Sequence, residues 1–184
     1  MEKQIIAKNK EHLKKLINEA IEELGPNCDL NFIDVSNVVD MSGLFRSSKF
    51  NGDISEWDVS HVKYMNRMFA DSKFNGDISK WNVSHVMDMS NMFAHSMFNR
   101  DISKWNVTHV KEMGYMFYDS KFNRDISEWD VFDVMDMSNM FAHSMFNRDI
   151  SKWDVSNVKY MNRMFDGSKV PSEIIECFKT KIKK

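Results

Sequence analysis

The chain predicts an α/β fold of the solenoid kind. Six coils of about 24 residues, leucine-rich-repeat-like, would each hold a short parallel strand plus a short helix, with helical caps at both ends. Three observations carry this. The tryptophans stand at Trp57, Trp81, Trp105, Trp129 and Trp153, with every gap 24 residues. Other residues recur in the same phase: Phe50 to Phe146, Asn51 to Asn147, Asp53 to Asp149, and Met-x-x-Met-Phe from Met65 to Phe165. A degenerate copy precedes them, with Leu30, Ile33, Val35, Val38, Met41, Leu44 and Phe45 at the same offsets and Ile33 in the tryptophan position.

Residues 1–28 predict an N-terminal cap. Ile5 and Ile6 suit an edge strand. Asn9 suits a helix cap, and the helix it starts carries Leu13, Leu16, Ile17, Ala20, Ile21 and Leu24 on one side. Gly25 and Pro26 end it. Residues 29–169 are the repeat domain. Trp57 and Val59 alternate with polar Asp58, the pattern of a very short strand. Met65, Met68 and Phe69, spaced i, i+3, i+4, suit one or two helical turns. Asn51–Gly52 and Asn75–Gly76 mark turns, but Arg100, Arg124 and Arg148 take the glycine position later, so it does not require positive φ. Residues 170–184 predict a C-terminal capping helix with Ile174, Ile175, Phe178 and Ile182 on one side. On this reading residues 1–184 form a complete domain.

One coil alone does not hold together. Ordering costs about 1.5 kcal/mol per residue, against about 1.5–3 kcal/mol for each large apolar side chain buried. Stacking covers each coil's apolar face with its neighbour and gives a rod or shallow arc.

The strings F-N-G-D-I-S-x-W-x-V-S-x-V and M-x-x-M-F resemble the BspA-like leucine-rich-repeat surface proteins, in the Trp/Met-rich type common in mycoplasmas and many other bacteria. The resemblance covers about residues 29–169. It implies a leucine-rich-repeat-like solenoid, and attachment or protein binding without catalysis or a cofactor. It carries over no catalytic residues.

Composition narrows the function classes. A net charge of −2 without a basic face argues against a nucleic-acid partner, and Lys179–Lys184 reads as a solvated helix end. No apolar run approaches the ~20 residues of a membrane span. The N-terminus has no hydrophobic signal region, which predicts a cytoplasmic protein; a leader removed upstream would place the chain at the cell surface. A monomer is expected. Cys28 and Cys177 fall at opposite ends of the array, too far apart for a disulfide.

In a stacked array, residues at one offset form a column. The Asn51 column suits bonding to the backbone of adjacent coils. The Asp53 column suits Asx-turns better than a row of bound calcium ions. His61, His85 and His109 share an offset, but an even ladder does not converge on a tetrahedral metal point. His95 and His143 stand two coils apart, too distant to chelate together. The Met columns belong to the core. Repeated Ser residues lack a unique base, so no catalytic residue is expected.

Function therefore falls on the offsets that vary. The candidate protein-binding face is Tyr64, Arg67, Met87, Tyr115, Met135, Tyr160 and Arg163, with Met97, Met145 and Phe132 as further apolar groups. The expected function is a non-enzymatic scaffold for an unidentified protein partner. The alternative is a surface adhesin-like module that binds a glycan, a host ligand or metal ions.

Overall fold

The structure is a computed structural model and describes residues 4–182. The side chain of Ile182, and Lys183 and Lys184, lie outside the described residues. Four named elements occur, all near the ends: β1 (Ile5–Ile6), α1 (Lys10–Leu24), β2 (Ile33–Asp34) and α2 (Ser172–Ile182). β1 pairs in parallel with β2, Ile5 opposite Ile33. Asn9 caps α1: its backbone is extended and its Oδ1 accepts the His12 N–H at 2.9 Å. At the other end Gly25, at φ 89°, donates its N–H to the Ile21 carbonyl. Leu13, Ile17 and Ala20, one face of this helix, are buried in the core.

Between the helices, units 24 residues apart stack on one another. Parallel bridges link Asp40 to Tyr64, Tyr64 to Asp88, Asp88 to Glu112, Glu112 to Asp136, and Asp136 to Tyr160. The hydrogen bonds around each bridge follow one rule. The N–H groups of Met65, Arg67, Phe69 and Asp71 donate to the carbonyls of Asp88, Ser90, Met92 and Ala94 in the next coil, each at 2.9 Å. The N–H groups between them, on Met68, Ala70 and Ser72, donate three residues back, to Met65, Arg67 and Phe69.

The elements within a coil differ from the sequence reading. Alternation suggests a strand at Trp57–Val59, but no backbone bond joins Val59 to a neighbouring coil; its carbonyl closes a local turn with the Val62 N–H. The ladder runs instead through residues 63–71. Met65–Phe69 is a chain of turns rather than a helix, because Arg67 and Asp71 have φ of 58° and 57°. A right-handed helix needs negative φ throughout, so each left-handed residue halts the winding. Every coil repeats this, through Gly43, Asn91, Tyr115, Asn139 and Arg163 in one column and Ser47, His95, Asp119, His143 and Gly167 in the other.

The core is a set of ring columns. Phe45, Phe69, Phe93, Phe117, Phe141 and Phe165 stack at 5.5, 5.6, 5.8, 5.7 and 6.2 Å between centroids. The Phe50 to Phe146 column interleaves with it, Phe69 lying 4.3 Å from Phe74. Trp57 and Trp81 stack at 6.5 Å with planes 3° apart. For rings so nearly parallel, the centroid spacing is the local step of the stack. Paired strands step about 4.8 Å. The Trp57–Trp81 step is thus wider than the 5.5 Å step of Phe45–Phe69.

Polar columns tie coil to coil or close turns within a coil. Each indole N–H donates to a carbonyl one coil back, as Trp105 Nε1 does to Ile78 at 3.1 Å. Each Asn Oδ1 accepts the backbone N–H of the next Asn, as Asn99 does from Asn123 at 3.0 Å. The Asp column closes Asx-turns, Asp101 Oδ1 accepting the Ser103 N–H at 2.9 Å. These bonds hold the carboxyls of Asp53, Asp77, Asp101 and Asp125 below their ordinary value.

Candidate interaction face

All seven residues singled out from the sequence lie along the ladder. Tyr64 and Tyr160 are themselves bridge residues, four coils apart. Met87 and Met135 stand one position before the bridge, Met87 exposed and Met135 half-buried. Arg67, Tyr115 and Arg163 occupy the left-handed column. Alternate residues turn outward there while Met65, Met68 and Phe69 turn inward and are fully buried. The seven share one face but not one pocket. Arg67 and Arg163 sit at its two ends, and Tyr115 sits at its middle.

The face carries a second period of two coils. Met87 and Met135 alternate with Lys63, Lys111 and Lys159 at one margin of the ladder. Met97 and Met145 alternate with Lys73, Lys121 and Lys169 at the other. Asp71, His95, Asp119 and His143 alternate between acid and imidazole.

The fourth coil breaks the pattern. Its ladder reads Glu112, Gly114, Tyr115, Tyr118 and Asp119, where the coils on either side place Asp, Ser, Asn, Ala and His. Tyr118 replaces Ala70, Ala94 and Ala142 of other coils. Its ring lies 5.1 Å from His95 and 5.6 Å from His143, edge-on to both, and 5.5 Å from Tyr115. His95 Nδ1 is 3.1 Å from Asp119 Oδ2. The two histidines, too far apart to share a metal, thus flank one tyrosine. Sequence reading missed Tyr118, although the break from alanine was visible.

Along the bridge column runs a row of carboxylates on Asp88, Glu112 and Asp136, one per coil. Gly114 leaves room for it, since a Cβ there would stand 3.2 Å from Asp136 Oδ2. Partial burial, then the charges of Asp136 and Asp88, raise the Glu112 carboxyl above its ordinary value. Lys111 does not neutralise the row: its Nζ is held by Asp133 Oδ2 at 2.7 Å.

The histidine and aspartate columns bond to one another or to the backbone. His85 Nδ1 lies 2.9 Å from the Ser60 carbonyl. Among the described residues, no three His, Cys, Asp or Glu side chains gather where a metal ion would sit, and no helix is long and apolar enough to cross a membrane. Cys28 and Cys177 are free thiols, Cys28 buried and Cys177 half-buried.

The model of a family described as "Mycoplasma protein of unknown function, DUF285" matches residues 12–121 and again residues 96–182. The chain belongs to this family. Two staggered matches of one model make it a repeat protein, in agreement with the 24-residue bridges. No curated protein and no solved structure matches it.

Proposed function

We propose that this DUF285 member is a non-enzymatic scaffold: a leucine-rich-repeat-like solenoid that binds another protein along its bridged ladder. One observation carries the reading. The residues that vary between coils, including Tyr64, Tyr115 and Tyr160, are exposed along that ladder, while the repeated ones are spent on the core. Exposed Tyr and Arg among charged neighbours are the usual anchors of protein interfaces.

The test is a pull-down from the cells that make the protein, with the purified chain beside the Tyr64→Ala/Arg67→Ala/Tyr115→Ala variant. A protein enriched by the former and lost with the latter supports the reading. Equal capture by both moves the binding surface elsewhere. A second reading, an adhesin-like module for a glycan or host ligand, rests on the likeness of the repeat to BspA-like surface proteins and on exposed Phe132. Binding to a glycan array that is lost in Phe132→Ser would favour it, since serine occupies that offset at Ser60, Ser84 and Ser156.

A further inference from the structure

We propose that the sixth coil is a docking site for a ladder segment of another repeat chain of this kind, which pairs with its open edge as one more rung. The site lies at the end of the array and does not depend on the face proposed above.

Inside the array, each coil passes its forward N–H groups to the next. Those of Met137, Asn139, Phe141 and His143 donate to the carbonyls of Tyr160, Asn162, Met164 and Asp166 at 2.8, 2.9, 2.9 and 2.7 Å. One coil further on, the N–H groups of Met161, Arg163, Phe165 and Gly167 find no acceptor among the described residues, and the Lys159 carbonyl finds no donor there. The side chains beside them are open as well. Val62, Met65 and Phe69 are fully buried in the second coil, whereas Val158, Met161 and Phe165 are only half-buried in the sixth. The helix α2 lies toward the tryptophan side: Lys181 Nζ donates to the Ser151 and Trp153 carbonyls at 2.6 Å, and Phe178 stands edge-on to Phe165 at 5.3 Å. Unpaired N–H groups over apolar side chains form a template for a further strand.

The sequence points to the occupant. Val158–Phe165 repeats Val62–Phe69 residue for residue, as Val-Lys-Tyr-Met-Asn-Arg-Met-Phe. In the second coil this edge is covered. The N–H groups of Met65, Arg67, Phe69 and Asp71 donate to the Asp88, Ser90, Met92 and Ala94 carbonyls, and the Lys63 carbonyl accepts the Met87 N–H, all at 2.9 Å. An identical edge takes the same kind of segment in the same register. A second copy of this chain does not supply it. Two such edges face to face would set donors against donors. At the opposite end, Met41, Leu44 and Phe45 of the first coil are already buried, and Lys10 of α1 bonds Asp40 and Ser42. The occupant is therefore a different chain, one whose leading coil is uncovered.

The experiment titrates the full chain with a labelled, acetylated peptide amide of the sequence of residues 86–97, Val-Met-Asp-Met-Ser-Asn-Met-Phe-Ala-His-Ser-Met. Its control is a scrambled peptide of the same composition. Fluorescence anisotropy reads affinity, and amide hydrogen exchange by NMR reads the site. In the free chain the N–H groups of Met161, Arg163, Phe165 and Gly167 should exchange fast and those of Met137, Asn139, Phe141 and His143 slowly. Saturating peptide should slow the first four roughly tenfold or more. Met161→Pro removes an N–H that bonds nothing in the free chain, and Tyr160 before it is a bridge residue with the extended backbone that proline requires. It should weaken the peptide roughly two- to tenfold. The Tyr64→Ala/Arg67→Ala/Tyr115→Ala variant should bind the peptide as the parent does.

Equal binding of the scrambled peptide, binding that leaves the four amides fast, or no binding at concentrations on the order of 1 mM would each overturn the proposal. So would loss of the peptide in the Tyr64/Arg67/Tyr115 variant, which would move it to the ladder face. Protection of the four amides by raising the concentration of the chain alone would assign the edge to a second copy and overturn it too. Failure of the pull-down with the peptide still bound would remove the face proposed above and leave this site.

Discussion

Replacing Trp105 by Phe tests the stacking directly. Trp105 is 4% exposed, and its indole N–H donates to the Ile78 carbonyl at 3.1 Å. That carbonyl also accepts the Trp81 N–H at 3.2 Å, so the substitution leaves it one partner. The lost bond then costs about 1 kcal/mol. Phe also removes two buried carbon groups of the indole, at about 0.8 kcal/mol each. Coils covered on both sides close such a gap only partly. The sum is about 2.5–3 kcal/mol. At roughly 2–4 °C per kcal/mol for a chain of this size, Tm should fall by about 5–12 °C in scanning calorimetry. Trp153→Phe is the comparison. It loses an equal bond, to Ile126 at 3.1 Å, but sits in the last coil, where loosening stays local. Its drop should be less than half as large. A shift below 2 °C for Trp105→Phe, or equal shifts for the two variants, would refute the claim that the indole column ties the coils together.

Three further outcomes follow from the polar columns and the thiols. Asn99→Ala removes the acceptor of the Asn123 N–H and should cost about 1–2 kcal/mol, read from the urea midpoint, with no change in slope. Acid should destabilise the fold. Asp53, Asp77, Asp101 and Asp125 have lowered carboxyl pKa values because Ser N–H groups hold their charged form, so the folded chain binds fewer protons than the unfolded one. Their stabilisation is present above the ordinary carboxylate pKa and lost as pH falls through the lowered values. Glu112 runs the other way: raised by burial and its acidic neighbours, it favours the fold below its ordinary pKa and loses that contribution as pH rises through the raised value. A melting series from pH 3 to pH 7 checks both, and Glu112→Gln should melt no lower than the parent at pH 7. With a thiol-labelling reagent, half-buried Cys177 should react well before Cys28, which is buried and whose pKa that burial raises.

Much of the fold was legible because a stacked array writes its contacts into the sequence at a fixed spacing. Residues 24 apart are neighbours, so the columns of Phe, Trp, Asn and Asp could be read before any coordinate. Asn9 and Gly25 carry their capping chemistry in their own side chain and backbone, so α1 was legible too. The path of the chain within one coil was not. Alternation at Trp57–Val59 and helical spacing at Met65–Phe69 record which residues face the core. Turns with left-handed residues bury the same positions as a strand or helix. Gly43 and Gly167 mark the two left-handed columns, but Ser, Arg, Asn, Tyr, Asp and His occupy the other positions, because the inter-coil bonds on both sides compel a φ those residues would not choose alone. The candidate site divides in the same way. Variation between coils pointed to Tyr64, Arg67 and Tyr115. Only stacking brought Tyr118 between His95 and His143, and only the ladder set Glu112 between two carboxylates. By itself the sequence determined the period, the core and the ends of α1, which depend on residue type at fixed positions. The tertiary structure decided which backbone groups pair and which side chains meet, because those depend on dihedral angles that apolar spacing does not record.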